Sequence, residues 1–212
     1  MCSKFKNVTH CIFDLDGLLL DTEVVYEEIV RQIAGSFNKS YPRDVRLKLL
    51  GTTEQKSAEI AVNELELPIT LMRGAERLLR HLDANKIPLA LATSSGEHMV
   101  EIKITHHRDV FKLFHHRVCG STDPEVKAGK PSPDIFLIAA SRFLDKPDPS
   151  NCLVFEDAPN GVQAALSAGM QVVMVPDKLV TEEMRKGATQ VLKSLDDFRP
   201  EDFGLPPFPT IG

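Results

Sequence analysis

Short runs of Val, Ile, Leu and Ala recur along this 212-residue chain, and from about residue 72 onward helical patterns separate them. That alternation is the pattern of βαβ units and of a parallel sheet. Strands are expected at His10 to Asp14, Pro88 to Thr93, Arg117 to Gly120, Cys152 to Glu156 and Gln171 to Val175, with a shorter sixth at Gln190 to Leu192. The runs are apolar throughout rather than alternating, so both faces of the sheet need cover from helices.

The intervening helices have readable ends. Gly74 to Leu82 carries Ala75, Leu78, Leu79 and Leu82 on one stripe. Ser132-Pro133 is expected to cap and start a helix over Asp134 to Phe143, and Pro159 to Ala168 should stop at a left-handed Gly169. Between Gly17 and about Thr70 strands are absent. Helical stretches follow one another there, at Thr22 to Ala34, Arg43 to Leu50 and Thr53 to Leu67, so a helical insert sits directly after the first strand. The tail Pro206-Pro207-Phe208-Pro209 is expected to be a surface extension.

The first strand ends in Ile12-Phe13-Asp14-Leu15-Asp16-Gly17. Strand geometry turns Asp14 and Asp16 to the same side, at the sheet edge where open α/β sheets bind ligands. Two carboxylates that close repel each other unless a shifted pKa or a cation offsets the cost, and a hard divalent ion such as Mg²⁺ suits such oxygen ligands. A simple turn also uses Asp and Gly.

Three further strand ends are polar. Thr93-Ser94-Ser95-Gly96 offers hydroxyls and backbone amides suited to an anionic oxygen, or an ordinary helix cap. Gly129-Lys130-Pro131 fixes one Lys in a rigid turn, where its ammonium can meet a phosphate or stay on the surface. Glu156-Asp157 follows Leu153-Val154-Phe155; an Asp cap before Pro159 explains Asp157 and leaves Glu156 unexplained. Together these ends supply a nucleophile, an acid, phosphate donors, a cation and metal ligands, the parts that phosphoryl transfer needs.

The formal charge of -5 provides no basic face, so a nucleic acid polymer is not an expected partner, while a small phosphorylated metabolite is. No apolar run reaches the length of a membrane span, and a cytoplasmic monomer without membrane attachment is expected. Cys2, Cys11, Cys119 and Cys152 lack metal-site spacing and read as reduced packing residues. The pairs His106-His107 and His115-His116 read as packing or solvated histidines.

The ordered set of motifs resembles the haloacid dehalogenase superfamily of phosphotransferases over essentially the whole chain. Asp16-Gly17-Leu18-Leu19-Leu20-Asp21-Thr22-Glu23 and Phe155-Glu156-Asp157-Ala158-Pro159-Asn160-Gly161 are similar to the subgroup with a helical cap after the first strand. The resemblance implies a Rossmann-like parallel-sheet core from residues 1–17 and 71–212, with a cap at 18–70. It implies Asp14 as nucleophile and Asp16 as general acid/base, protonated at neutral pH beside Asp14. Thr93 and the Ser94 amide would hold phosphoryl oxygens, and Lys130 would neutralise charge. Asp14, the Asp16 carbonyl, Glu156 and Asp157 would bind Mg²⁺. The implied reaction is hydrolysis of a phosphomonoester through an aspartyl phosphate, on a nucleoside monophosphate such as pseudouridine 5'-phosphate.

Two alternatives stand beside it. A sugar phosphomutase shares the core, but Glu54 replaces the cationic cap residue that its substrate requires. A binding module with impaired catalysis is the other, because the join from Leu67-Pro68-Ile69-Thr70 into Leu71-Met72-Arg73-Gly74 is abrupt, as if a segment of about 20 residues, a helix and its loops, were missing from the cap.

Overall fold

The computed structural model describes residues 5–22, 24, 27–28, 31–32 and 69–209. Six parallel strands form one sheet: β1 (His10–Phe13), β2 (Leu89–Thr93), β3 (His116–Cys119), β4 (Cys152–Glu156), β5 (Gln171–Met174) and β6 (Gln190–Val191), in the order β3-β2-β1-β4-β5-β6. The helices among the described residues that matter for the site are α1 (Ala75–Ala84), α2 (Glu97–Lys103), α3 (Arg108–Phe111), α4 (Asp134–Ser141) and α5 (Pro159–Ser167).

Every residue of β1, β2 and β4 is buried, as their unbroken apolar composition requires. Period-2 alternation divides them between two cores. Cys11, Phe13, Leu89, Leu91, Leu153 and Phe155 pack on one face with Leu78, Leu79 and Leu82 of α1 and Val110 of α3. Ile12, Ala90, Ala92, Val118 and Val154 pack on the other with Phe136 of α4 and Ala164 and Ala165 of α5.

The chain builds outward from β1 to β2 and β3, then returns to β4 on the other side of β1 and builds outward again. The order reverses between β1 and β4, and the carboxyl ends of such a pair are where open α/β sheets place their ligand crevice. Phe13 stacks on Phe155 with ring centroids 4.4 Å apart and planes 4° from parallel, and Phe198 meets Phe155 edge-on. Such pairs add about 0.5–1.5 kcal/mol each beyond burial. Because Phe13 and Phe155 immediately precede Asp14 and Glu156, the same stack fixes the relative height of two site residues.

The expected strands hold to within a residue at each end, because their length and flanking turns leave little room for another register. Local capping differs. No side chain caps α4: Ser132 Oγ instead donates to Asp134 Oδ1 at 2.7 Å, drawn by a carboxylate closer than the helix amides. The tail is a surface segment without regular structure, as expected, and is pinned there: Arg77 lies over Phe208, 4.2 Å from its ring centroid, and Pro206 O is 2.8 Å from His81 Nε2. Gly169 stops α5 with φ +76° as expected.

Cys11, Cys119 and Cys152 are free and buried; Cys2 lies outside the described residues. His107 and His116 bond the carbonyls of Ile69 and Ala139, which identifies them as packing residues. No helix among the described residues is long and apolar enough to cross a membrane.

Most of 18–70 lies outside the described residues, including Glu54. The residues on either side of that stretch are described. Leu18, Leu19 and Leu20 are fully buried in the core, Leu20 bridges Leu71, and Met72 N–H bonds Leu19 O at 2.7 Å. Asp21 N–H bonds Thr70 O at 2.8 Å, so residues 19–21 and 70–72 run side by side.

Candidate active site

β1 delivers Asp14 to the crevice, where its backbone N–H bonds Phe155 O at 2.9 Å. Glu156 ends β4 beside it and is 1% exposed. Lys130 reaches both from the loop before α4. Its Nζ donates to Asp14 Oδ1 at 2.5 Å, Glu156 Oε1 at 2.6 Å and Ala92 O at 3.3 Å, so the three ammonium protons meet three acceptors. Asp134 holds that loop in shape, its Oδ2 accepting the N–H groups of Lys127 at 3.1 Å and Ala128 at 3.0 Å.

Glu156 Oε2 accepts the backbone N–H groups of Asp157 at 3.1 Å and Ala158 at 3.2 Å. A side chain at position 161 would collide with the Glu156 carboxyl, because a Cβ there would stand 1.9 Å from it. Glycine is similarly required at 17, where φ is +77° and a Cβ would stand 2.4 Å from Asp157 Oδ2. Backbone thus approaches both carboxylates closely, and bulkier residues would displace them.

Asp157 is not the N-cap residue of α5. That helix starts at Pro159 with Ala158 as its N-cap. One carboxylate oxygen each from Asp14, Glu156 and Asp157 lie within 4.8 Å of one another. Three hard oxygen donors of this kind suit a divalent cation, and the donors already accepting hydrogen bonds retain lone pairs for it.

Asp16 stands in a separate pocket built by β2 and α2. Its Oδ1 accepts from Lys103 Nζ at 2.5 Å, and its Oδ2 accepts from Ser95 Oγ at 3.0 Å and from Thr93 Oγ1 at 3.5 Å. Lys103 Nζ also donates to Ser95 Oγ at 3.0 Å, closing a triangle. Gly96, not Ser94 or Ser95, is the N-cap of α2, and the first helix N–H, that of Glu97, donates instead to Thr122 Oγ1 at 3.1 Å. Ser94 is exposed at the mouth, its carbonyl accepting the Ser121 hydroxyl at 2.5 Å.

The two aspartates differ electrostatically. Burial pushes Asp14 up to about 7; Lys130 opposes the rise, while Glu156 and Asp16 add to it. Burial would raise Asp16 too, but the Lys103 ammonium and the hydroxyl of Ser95 outweigh it and hold the carboxyl below its ordinary range. The expectation of a protonated Asp16 is therefore overturned in this state of the site, because a buried lysine faces it. Burial also works against the charge on Lys130, yet Asp14 and Glu156 hold that ammonium well above the ordinary lysine range.

All seven residues singled out from the sequence gather at this edge. Lys103 was not among them. Its signal was an apolar stripe on α2, Met99, Val100 and Lys103, in which a lysine occupies a core position and is 6% exposed.

Fold and site together define a class. A family model described as haloacid dehalogenase-like hydrolase matches residues 35–169, more than half of the chain. The chain belongs to that family and is a phosphatase within it. Among its relatives, a Drosophila melanogaster protein named "Probable pseudouridine-5'-phosphatase" is 53% identical over 223 residues, covering 96% of each chain. "(DL)-glycerol-3-phosphatase 1, mitochondrial" of Arabidopsis thaliana is 44% identical over 225 residues, covering 95% of this chain and 75% of that one. The crystal structure of CbbY from Rhodobacter sphaeroides in complex with phosphate is similar, with TM-score 0.72 and 25% identity, over 90% of this chain and 96% of that one. An alignment of 223 positions that uses 96% of 212 residues leaves about 20 positions of the Drosophila protein without a counterpart here.

Proposed function

We propose that this phosphatase hydrolyses a small phosphomonoester through an aspartyl phosphate on Asp14, with Mg²⁺ held by Asp14, Glu156, Asp157 and the Asp16 carbonyl. The observation that carries the reading is the convergence of three carboxylates within 4.8 Å around a lysine bonded to two of them. The cation, when bound, neutralises phosphate charge and polarises the phosphoryl oxygens.

The chain's own residues account for the rest. An Asp14 oxygen attacks phosphorus while the bond from phosphorus to the leaving alcohol oxygen breaks, its electron pair passing to that oxygen, which takes a proton from Asp16. Water then attacks the phosphorus of the aspartyl phosphate, gives its proton to Asp16, and restores the Asp14 carboxylate as phosphate leaves. Thr93 and the Ser94 amide orient the phosphoryl oxygens, and Lys130 offsets a repulsion of about 4 kcal/mol per pair of unit charges at ~4 Å. A bound dianion beside Asp16 raises its proton affinity, so Asp16 takes up from solvent the proton that the free site lacks.

The favoured substrate is a nucleoside monophosphate such as pseudouridine 5'-phosphate, supported by the name and identity of the Drosophila relative. We further propose that residues 18–70 form a helical cap and that the positions without a counterpart fall there, so closure over substrate is weaker. Phosphate release from pseudouridine 5'-phosphate, other nucleotides, glycerol 3-phosphate and sugar phosphates, with and without Mg²⁺, tests the reading. Turnover of the nucleotide that needs Mg²⁺ and vanishes in Asp14→Asn is the expected result. A fully active Asp14→Asn protein sinks the covalent route, and transfer between two sugar positions without release identifies a phosphomutase.

A further inference from the structure

We infer that Lys103, together with Ser95, is a positioning residue that clamps the Asp16 side chain in the orientation needed to protonate the leaving alcohol. The inference rests on the reading of Asp16 given above and adds a component that neither the strand-end motifs nor the nucleophile requires.

The geometry is specific. Lys103 ends α2, nearly a full helix beyond the loop that carries Thr93 and Ser95, and its ammonium is buried rather than directed to solvent. A buried lysine is costly unless its charge is met by an anion and its protons by acceptors. Asp16 Oδ1 at 2.5 Å meets the charge and one proton, and Ser95 Oγ at 3.0 Å meets a second. Ser95 passes the restraint on, accepting from Lys103 and donating to Asp16 Oδ2 at 3.0 Å. Both carboxylate oxygens are thus tethered from one side, which fixes the plane of the group. Asp14, two residues away, is held by a different lysine, so the two acids are oriented independently.

A clamp on the acid predicts a loss that depends on the leaving group. An alkoxide cannot leave at neutral pH without a proton as its bond to phosphorus breaks, whereas p-nitrophenolate can. kcat/KM covers steps only as far as departure of the alcohol, so hydrolysis of the phosphoenzyme does not blur the comparison. With Mg²⁺ present, Lys103→Met is expected to lower kcat/KM on the best alkyl monophosphate about 100-fold, within the range general acid catalysis supplies. On p-nitrophenyl phosphate the loss should be at most a tenth as large, and Asp16→Asn should show the same selectivity.

Equal losses on both substrates, as a structural role or simple charge neutralisation would give, overturn the proposal; so does undiminished alkyl activity. If Asp16→Asn is itself unselective, the reading of Asp16 fails and the clamp fails with it. A selective Asp16→Asn beside an unselective Lys103→Met defeats the clamp alone. Should Lys103→Met not fold, Ser95→Ala carries the test: a several-fold fall in the alkyl-to-aryl ratio supports the clamp, and an unchanged ratio overturns it.

Discussion

Asp14 and Asp16 leave the same strand end two residues apart, yet they occupy pockets of opposite character. Asp14 shares Lys130 with Glu156, so one cation faces two buried carboxylates, and burial dominates. Burial acts on Asp16 as well, but Asp16 has Lys103 and the Ser95 hydroxyl to itself, and together they outweigh it. The difference teaches that separation of roles in a paired-acid site comes from how counter-charges are distributed around the pair, more than from the acids themselves. A divalent cation would complete the Asp14 side, where carboxylates outnumber ammonium groups.

Breaking the Asp14 pocket should have the largest effect. Lys130→Met leaves Asp14 and Glu156 buried without their shared cation, and removal of one partner from a buried ion pair costs about 3–5 kcal/mol. Urea unfolding of the metal-free protein should register that loss, and Mg²⁺-dependent turnover should fall by more than about 100-fold, as expected when charge stabilisation at a phosphoryl group is lost. A variant as stable as the parent would show that the two acids are not charged together.

A smaller change sharpens the comparison from the metal side. Gly161→Ala forces the Glu156 carboxyl away from its place, while Asp16 and Lys103 are untouched. Mg²⁺ affinity, read as the concentration for half-maximal activity, should weaken by roughly tenfold, the scale seen when the supports of ligating groups are disturbed. Unchanged affinity would remove Glu156 from the cation's surroundings.

The pH dependence of stability separates the two acids with the least perturbation. Asp14 in the folded protein titrates near 7, above its ordinary 3.8, so the folded state holds an extra proton between those values. Its contribution is full below pH 3.8 and gone above about 7, so metal-free protein should gain stability on acidification from pH 7 to 5 relative to Asp14→Asn. Asp16 has the opposite sign: its folded value is lowered, so its contribution is present above 3.8 and is lost only on stronger acidification. Urea midpoints for the parent and Asp14→Asn across pH 5 to 7 check the Asp14 window, and parallel curves there would refute the assignment to Asp14.

Much of this was legible because parallel strands buried on both faces must be apolar throughout, and a polar residue at the end of such a run stands out. Asp14, Thr93 and Glu156 were found that way, and Lys130 through its rigid turn. Local alternatives could be weighed but not decided: Ser95, Ser132 and Asp157 all sit where a helix cap would, and none is the N-cap residue of its helix. Lys103 was hidden because a lysine at a core position of an amphipathic helix reads as tolerated surface charge until its partner, 87 residues earlier, is known.

From the sequence alone came the order of strands and helices along the chain and the acids and lysine at the strand ends, since both follow from periodicity and from what an apolar run can bear at its tip. Tertiary structure alone decided which strands lie side by side, and with that the crevice between β1 and β4. It also decided which lysine each aspartate faces. Those outcomes depend on contacts between segments far apart in the chain, where burial and charge act over a few ångströms and sequence spacing carries no record of them.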